Sequence, residues 1–132
     1  MMEYVMFHKT KWDDIYDENG NIVMPRFNQY WLEGFYGIDD CKDWVADGHQ
    51  KGSRMGAVIF EDTFAVRKEK LIPFANFEAA PNESIIVCVK TIENVHRWKE
   101  VLTMQAADAF IKKFDNIAEA FACNVFDIEF VD

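Results

Sequence analysis

The amino-acid sequence predicts an α+β fold in a single domain, residues 1–132: a mostly antiparallel sheet with a long C-terminal helical segment followed by a terminal strand. Three observations predict it. EYVMFHKTKW, residues 3–12, alternates with the period of a strand, placing Val5 and Phe7 on one side and Tyr4, Met6, His8, Thr10 and Trp12 on the other. ESIIVCVKTI, ending at Ile92, is almost continuously apolar, as in a strand buried on both faces. Finally, Val95, Trp98, Leu102, Ala106, Phe110, Phe114, Ile117 and Phe121 recur at three- and four-residue spacing, the stripe of an amphipathic helix.

After the first strand, Asn19-Gly20 between Ile15-Tyr16 and Ile22-Val23 predicts a hairpin with a type I′ turn, and Pro25 ends its second arm or confines it to an edge. NQYWLE, from Asn28, reads as a short helix broken at Gly34 and Gly37. A second helix is expected from an Asp39 N-cap through DCKDWVAD, stopping at Gly48, with Asp40 and Asp43 near the positive end of its dipole. HQKGSRMG is expected to be a loop, and MGAVIFEDTFAVR one strand or two arms about Glu61-Asp62-Thr63. KLIPFANFEAAPNE, punctuated by Pro73 and Pro81, should be irregular. A strand over 84–92, a helix over 93–114 or longer with a break near Asp115-Asn116, and a strand over 124–131 suit a parallel or ferredoxin-like crossover. In that last strand, NVFDIEFVD turns Phe126, Ile128 and Phe130 inward and Asp127 and Glu129 outward.

Composition narrows the function. A chain of this length buries about 65–70% of its unfolded surface, and twelve phenylalanines supply aromatic bulk for a core. Apolar runs fall short of the roughly 20 residues of a membrane span, and MMEYVMFHK lacks the layout of a signal peptide. Together with three cysteines of no framework spacing, this predicts a cytoplasmic protein with reduced thiols and no membrane partner. The net charge of −9 disfavours direct nucleic-acid binding, which needs a basic surface. Residues 1–50 contribute −6, residues 51–92 +1 and residues 93–132 −4.

Metal chemistry finds no complete motif. Around Gly20 the sequence mimics the middle of a calcium loop, but Ile15 and Arg26 stand where its terminal carboxylates belong. Cys41 with His49 and Cys88 with His96 repeat one spacing, which fits no closed zinc module. Nor is Cys41 a candidate nucleophile, since Asp39, Asp40 and Asp43 raise a thiol pKa. No metal and no cofactor are therefore expected on the principal reading.

The acids form groups instead: Asp13, Asp14, Asp17 and Glu18 by the hairpin; Asp39, Asp40, Asp43 and Asp47 along the second helix; Asp127, Glu129 and Asp132 at the end. Like charges on one helix face cost a few tenths of a kcal/mol per pair, unless something basic meets them. With Trp44 beside them they predict a docking surface. The expected protein is thus a small acidic binding or inhibitor protein seated on the basic surface of a partner protein, in the manner of nucleic-acid mimics, immunity proteins or phage-type inhibitors. That partner could itself be a nucleic-acid-binding protein.

A second reading rests on two short stretches. VMFHKTKWDDI resembles the first signature of ADP-ribosyltransferases, an apolar strand ending in His-x-Ser/Thr, and LEGFYGIDDCKDW resembles the second signature of some small members. The resemblance implies NAD as cofactor, with His8 and Thr10 on its ribose and nicotinamide and Tyr36 stacked on the nicotinamide ring. It also implies a late catalytic glutamate, for which Glu129 and Glu119 are the candidates, although the family's third signature is not found around either.

Overall fold

The computed structural model describes residues 2–12, 14–46, 57–59 and 63–131. The predicted strand at the N-terminus is β1 (Tyr4–Trp12), and it organises one half of the sheet. All nine of its residues pair antiparallel with β4 (Phe27–Phe35). Its other edge is shared by β5 (Ala57–Ile59), against Thr10–Trp12, and β6 (Phe64–Arg67), against Tyr4–Phe7. β11 (Ile128–Phe130) then pairs with β6. The other half runs β9 (His96–Val101), β8 (Ile85–Thr91), β10 (Ile117–Asn124) and β7 (Ile72–Pro73), again antiparallel at each step. A single pair, Tyr30↔His96, joins β4 to β9 and so links the halves.

At that join the sheet folds over. β6 and β9 are three strand spacings apart in the order β6-β1-β4-β9, roughly 14 Å if the sheet were flat. Yet the Phe64 and Trp98 rings approach to 6.3 Å, and Phe7 meets Trp98 at 5.2 Å. The concave side holds a core of Phe7, Phe64, Val66, Ile86, Cys88 and Cys123, drawn from both halves. Burying Phe7 alone contributes about 1.5–3 kcal/mol.

The two outer faces carry the helices. α1 (Ile38–Ala46) lays Ile38, Cys41, Trp44 and Val45 on Tyr4, Met6 and Ala65. α2 (Met104–Ile111) lays Ala107 and Phe110 on Ile85, Val87 and Ala122. Alanine at both 107 and 122 keeps that approach free of bulky side chains. Between β1 and β4 stands a separate hairpin, β2 (Ile15–Tyr16) with β3 (Ile22–Met24). Among the described residues, no helix is long and apolar enough to cross a membrane.

These observations correct the expected fold class. There is no long C-terminal helical segment: the helical stripe is cut into β9, the eight residues of α2, and β10. Its three- and four-residue spacing coincides with strand positions that are also apolar. β10 takes seven paired positions along β8, a gain that outweighs the helix propensity of its alanines. Because β8 pairs antiparallel with both neighbours, the expected crossover is replaced by a β8–β9 hairpin, turning through Asn94 at φ 65°. NQYWLE is also strand, inside β4. The terminal strand is three residues long, with Phe126 and Phe130 exposed rather than inward. Nor is the β2–β3 turn type I′, since only Gly20 has positive φ, at 81°. Its amide donates to Asp17 C=O at 3.1 Å, and Asp17 N–H donates to Asn21 C=O at 2.9 Å. That is a three-residue loop ending in a left-handed glycine.

Candidate functional site

His8 leaves β1 beneath α1 and is 95% withdrawn from solvent, at 5% exposure. Its ring lies parallel to Trp31 of β4, its cross-strand partner, at 6.1 Å, and tilts against Trp44 of α1 at 5.0 Å. Nε2 is 3.5 Å from Glu33 Oε2, close enough for charge attraction. Neither ring nitrogen has a hydrogen-bond partner among the described residues. His8 is thus an aromatic spacer between sheet and helix, with a carboxylate at its edge.

Of the other residues expected to handle NAD, Tyr36 and Glu129 are not gathered around it. Thr10 follows in β1, opposite Gln29 and Ile59, and is placed by its backbone alone. Tyr36 lies beyond the far end of β4, five residues from Trp31 and so about 17 Å along the strand; it is exposed. Glu129 pairs with Ala65, across β6 from Met6, roughly 12 Å from His8 between α-carbons. There Glu129 accepts from the Tyr4 phenol, which burial and this carboxylate together raise above its ordinary pKa. Tyr36 and Glu129 thus stand apart from His8.

The acids expected to bind a partner divide as well. Asp39, Asp40 and Asp43 are exposed on α1 beside the buried Cys41, whose thiol is pushed up to about 11 by burial and then by Asp40. Asp14 and Asp17 belong to the hairpin region, where Asp14 accepts from Arg26 N–H at 2.6 Å. Asp17 accepts from the amides of Asn19 and Asn21, each at 2.9 Å, and these bonds lower its pKa. Asp13 and Asp47 lie outside the described residues. The hairpin departs from the Trp12 end of β1, whereas α1 starts from the Phe35 end, so the two groups set out from opposite ends of a strand roughly 27 Å long. Trp44 is half-buried in the α1 contact, with Phe35 at 6.3 Å, rather than presented beside the acids.

Two features were not anticipated. β3 exposes all three of its residues, Ile22, Val23 and Met24, and Tyr16 across from them is also exposed. At the root, Phe27 stacks on Trp12 at 6.1 Å. The other feature is a cleft of about 350 Å³ along the β4–β9 join, lined by Gln29, Tyr30, Trp31, Glu33, His96 and Arg97 among others. In NQYWLE only Tyr30 and Leu32 keep a strand's apolar period, too short a signal to reveal β4. The helical stripe around Trp98 concealed Arg97.

No family model matches the chain, and neither a curated protein nor a solved structure matches it.

Proposed function

We propose that the protein is a non-catalytic binding protein that seats the β2–β3 hairpin on a basic-rimmed apolar surface of a partner protein. The observation that carries this is the consecutive exposure of Ile22, Val23 and Met24 on a two-stranded arm that, among the described residues, packs into no larger sheet. Isolated hairpins are marginal in water, and contiguous exposed apolar residues are a feature of interaction sites. Asp17 and Glu18 edge the turn of the same arm, while Asp14 at its root is met by Arg26 at 4.0 Å, so its complement is apolar at the centre and basic at the tip. The net charge of −9 steers the same class of partner. Occupying such a surface makes an inhibitor of whatever else the partner binds there. The separation of Tyr36 and Glu129 from His8 lends the NAD-dependent reading no support.

The test is capture of host proteins on immobilised wild type and Val23→Glu at about 0.1 M and about 1 M salt, between which screening shortens from about 10 Å to about 3 Å. One protein held by wild type at low salt, released at high salt and absent from Val23→Glu is the expected result. A partner indifferent to both salt and Val23→Glu overturns the proposal.

A further inference from the structure

The β4–β9 cleft carries chemistry of its own, independent of the hairpin. Arg97 is held there by two restraints: its Nη1 donates to His96 C=O at 2.7 Å, and its Cζ lies 5.0 Å from the Tyr30 ring centre. No carboxylate forms an ion pair with it among the described residues. In a protein of net charge −9 this is a restrained, half-buried guanidinium with no counter-ion among the described residues. Gln29 lines the same cleft as Arg97. Gln29 Oε1 accepts from Trp12 Nε1 at 3.1 Å, which leaves the amide NH₂ as its donor. Two residues along β4, a rise of about 7 Å, Trp31 keeps 37% of its surface exposed while His8 steadies its indole. Glu33 stands a further two residues away and closes that end to anions.

We propose that this cleft binds a small ligand made of a planar ring bearing a carboxylate or phosphate, the anion on Arg97 and Gln29 and the ring on Trp31. A guanidinium already oriented presents its fork to two oxygens without a further ordering cost. The cleft volume of about 350 Å³ suits one ring with its anionic group.

Titration of isotope-labelled protein with benzoate, phenyl phosphate, inorganic phosphate and benzyl alcohol tests this by NMR. Saturable shifts of the Trp31 indole and Gln29 side-chain signals are expected with benzoate, phenyl phosphate or both, and which of them binds distinguishes carboxylate from phosphate. Inorganic phosphate should bind at least about tenfold more weakly, and benzyl alcohol should not saturate. Arg97→Gln should weaken the ring-bearing anion at least about tenfold. Arg97→Lys, which keeps charge but loses the fork, should fall between and serves as the test if Arg97→Gln does not fold. Absence of saturation, shifts confined to other lysines and arginines, or unchanged affinity in a folded Arg97 variant overturns the proposal.

Discussion

Residue by residue, the two histidines of the described sheet make opposite predictions about burial. His8 brings a polar ring into a site where neither nitrogen is hydrogen-bonded to a described residue, and such burial costs about 1–3 kcal/mol, partly offset by Glu33 at 3.5 Å. His8→Phe keeps a ring between Trp31 and Trp44 and removes the penalty, so thermal unfolding should shift upward by about 4 °C for about 1 kcal/mol. A downward shift would show the Glu33 contact to be net favourable. His96 is different: burial, then the Lys90 charge, lowers its pKa below the ordinary 6.5, against an opposing pull from Glu119. With the folded value depressed, the unfolded chain binds more protons in the window below 6.5, and stability falls as pH drops through it. Wild type should therefore lose more stability than His96→Gln between pH 7.5 and pH 5, read by chemical denaturation. Parallel profiles for the two proteins would refute the linkage.

Among the elements, α2 shows how much of the fold was legible and why the rest was not. Its apolar stripe was readable, but the stripe ran on through residues that are strands, and the break it showed, near Asp115-Asn116, came after α2 had already ended. Thr103 marks the true start, its side chain accepting from Ala106 N–H at 3.0 Å. Thr103→Ala should cost about 1 kcal/mol by denaturant unfolding, with Thr103→Ser restoring most of it. β1 and β8 were legible because alternation and continuous apolarity each have one structural reading at that length. β4 was not, since its half-buried face mixes Gln29 and Glu33 with Trp31 and is no simple apolar stripe. For the site, the exposure of His8 and Tyr36 depends on what α1 covers and where β4 ends, and a single strand's period holds neither fact. The cleft arises only where two strands distant in sequence meet at one residue pair.

For the molecule as a whole, charge and sheet architecture act together. The sheet's outer strands are short, β11 with three residues and β7 with two including Pro73, which limits strand addition at its ends. The exposed hairpin and the net charge of −9 are the features on which the proposed association rests. They give salt opposite effects on folding and on binding. Free protein carries like-charge repulsion that compactness strengthens, so screening should raise its melting temperature. The described ion pairs are surface contacts of small worth, apart from His8 with Glu33, and their loss should not reverse that trend. Partner capture should weaken over the same range, because the attraction being screened is between opposite charges. Melting scans of the free protein from about 0.01 M to about 0.5 M sodium chloride, spanning screening lengths from about 30 Å to under 8 Å, check the first half. A melting temperature that falls with salt would mean that attractive pairs outweigh the acid excess in the folded state, and would remove the net-charge argument for a basic partner.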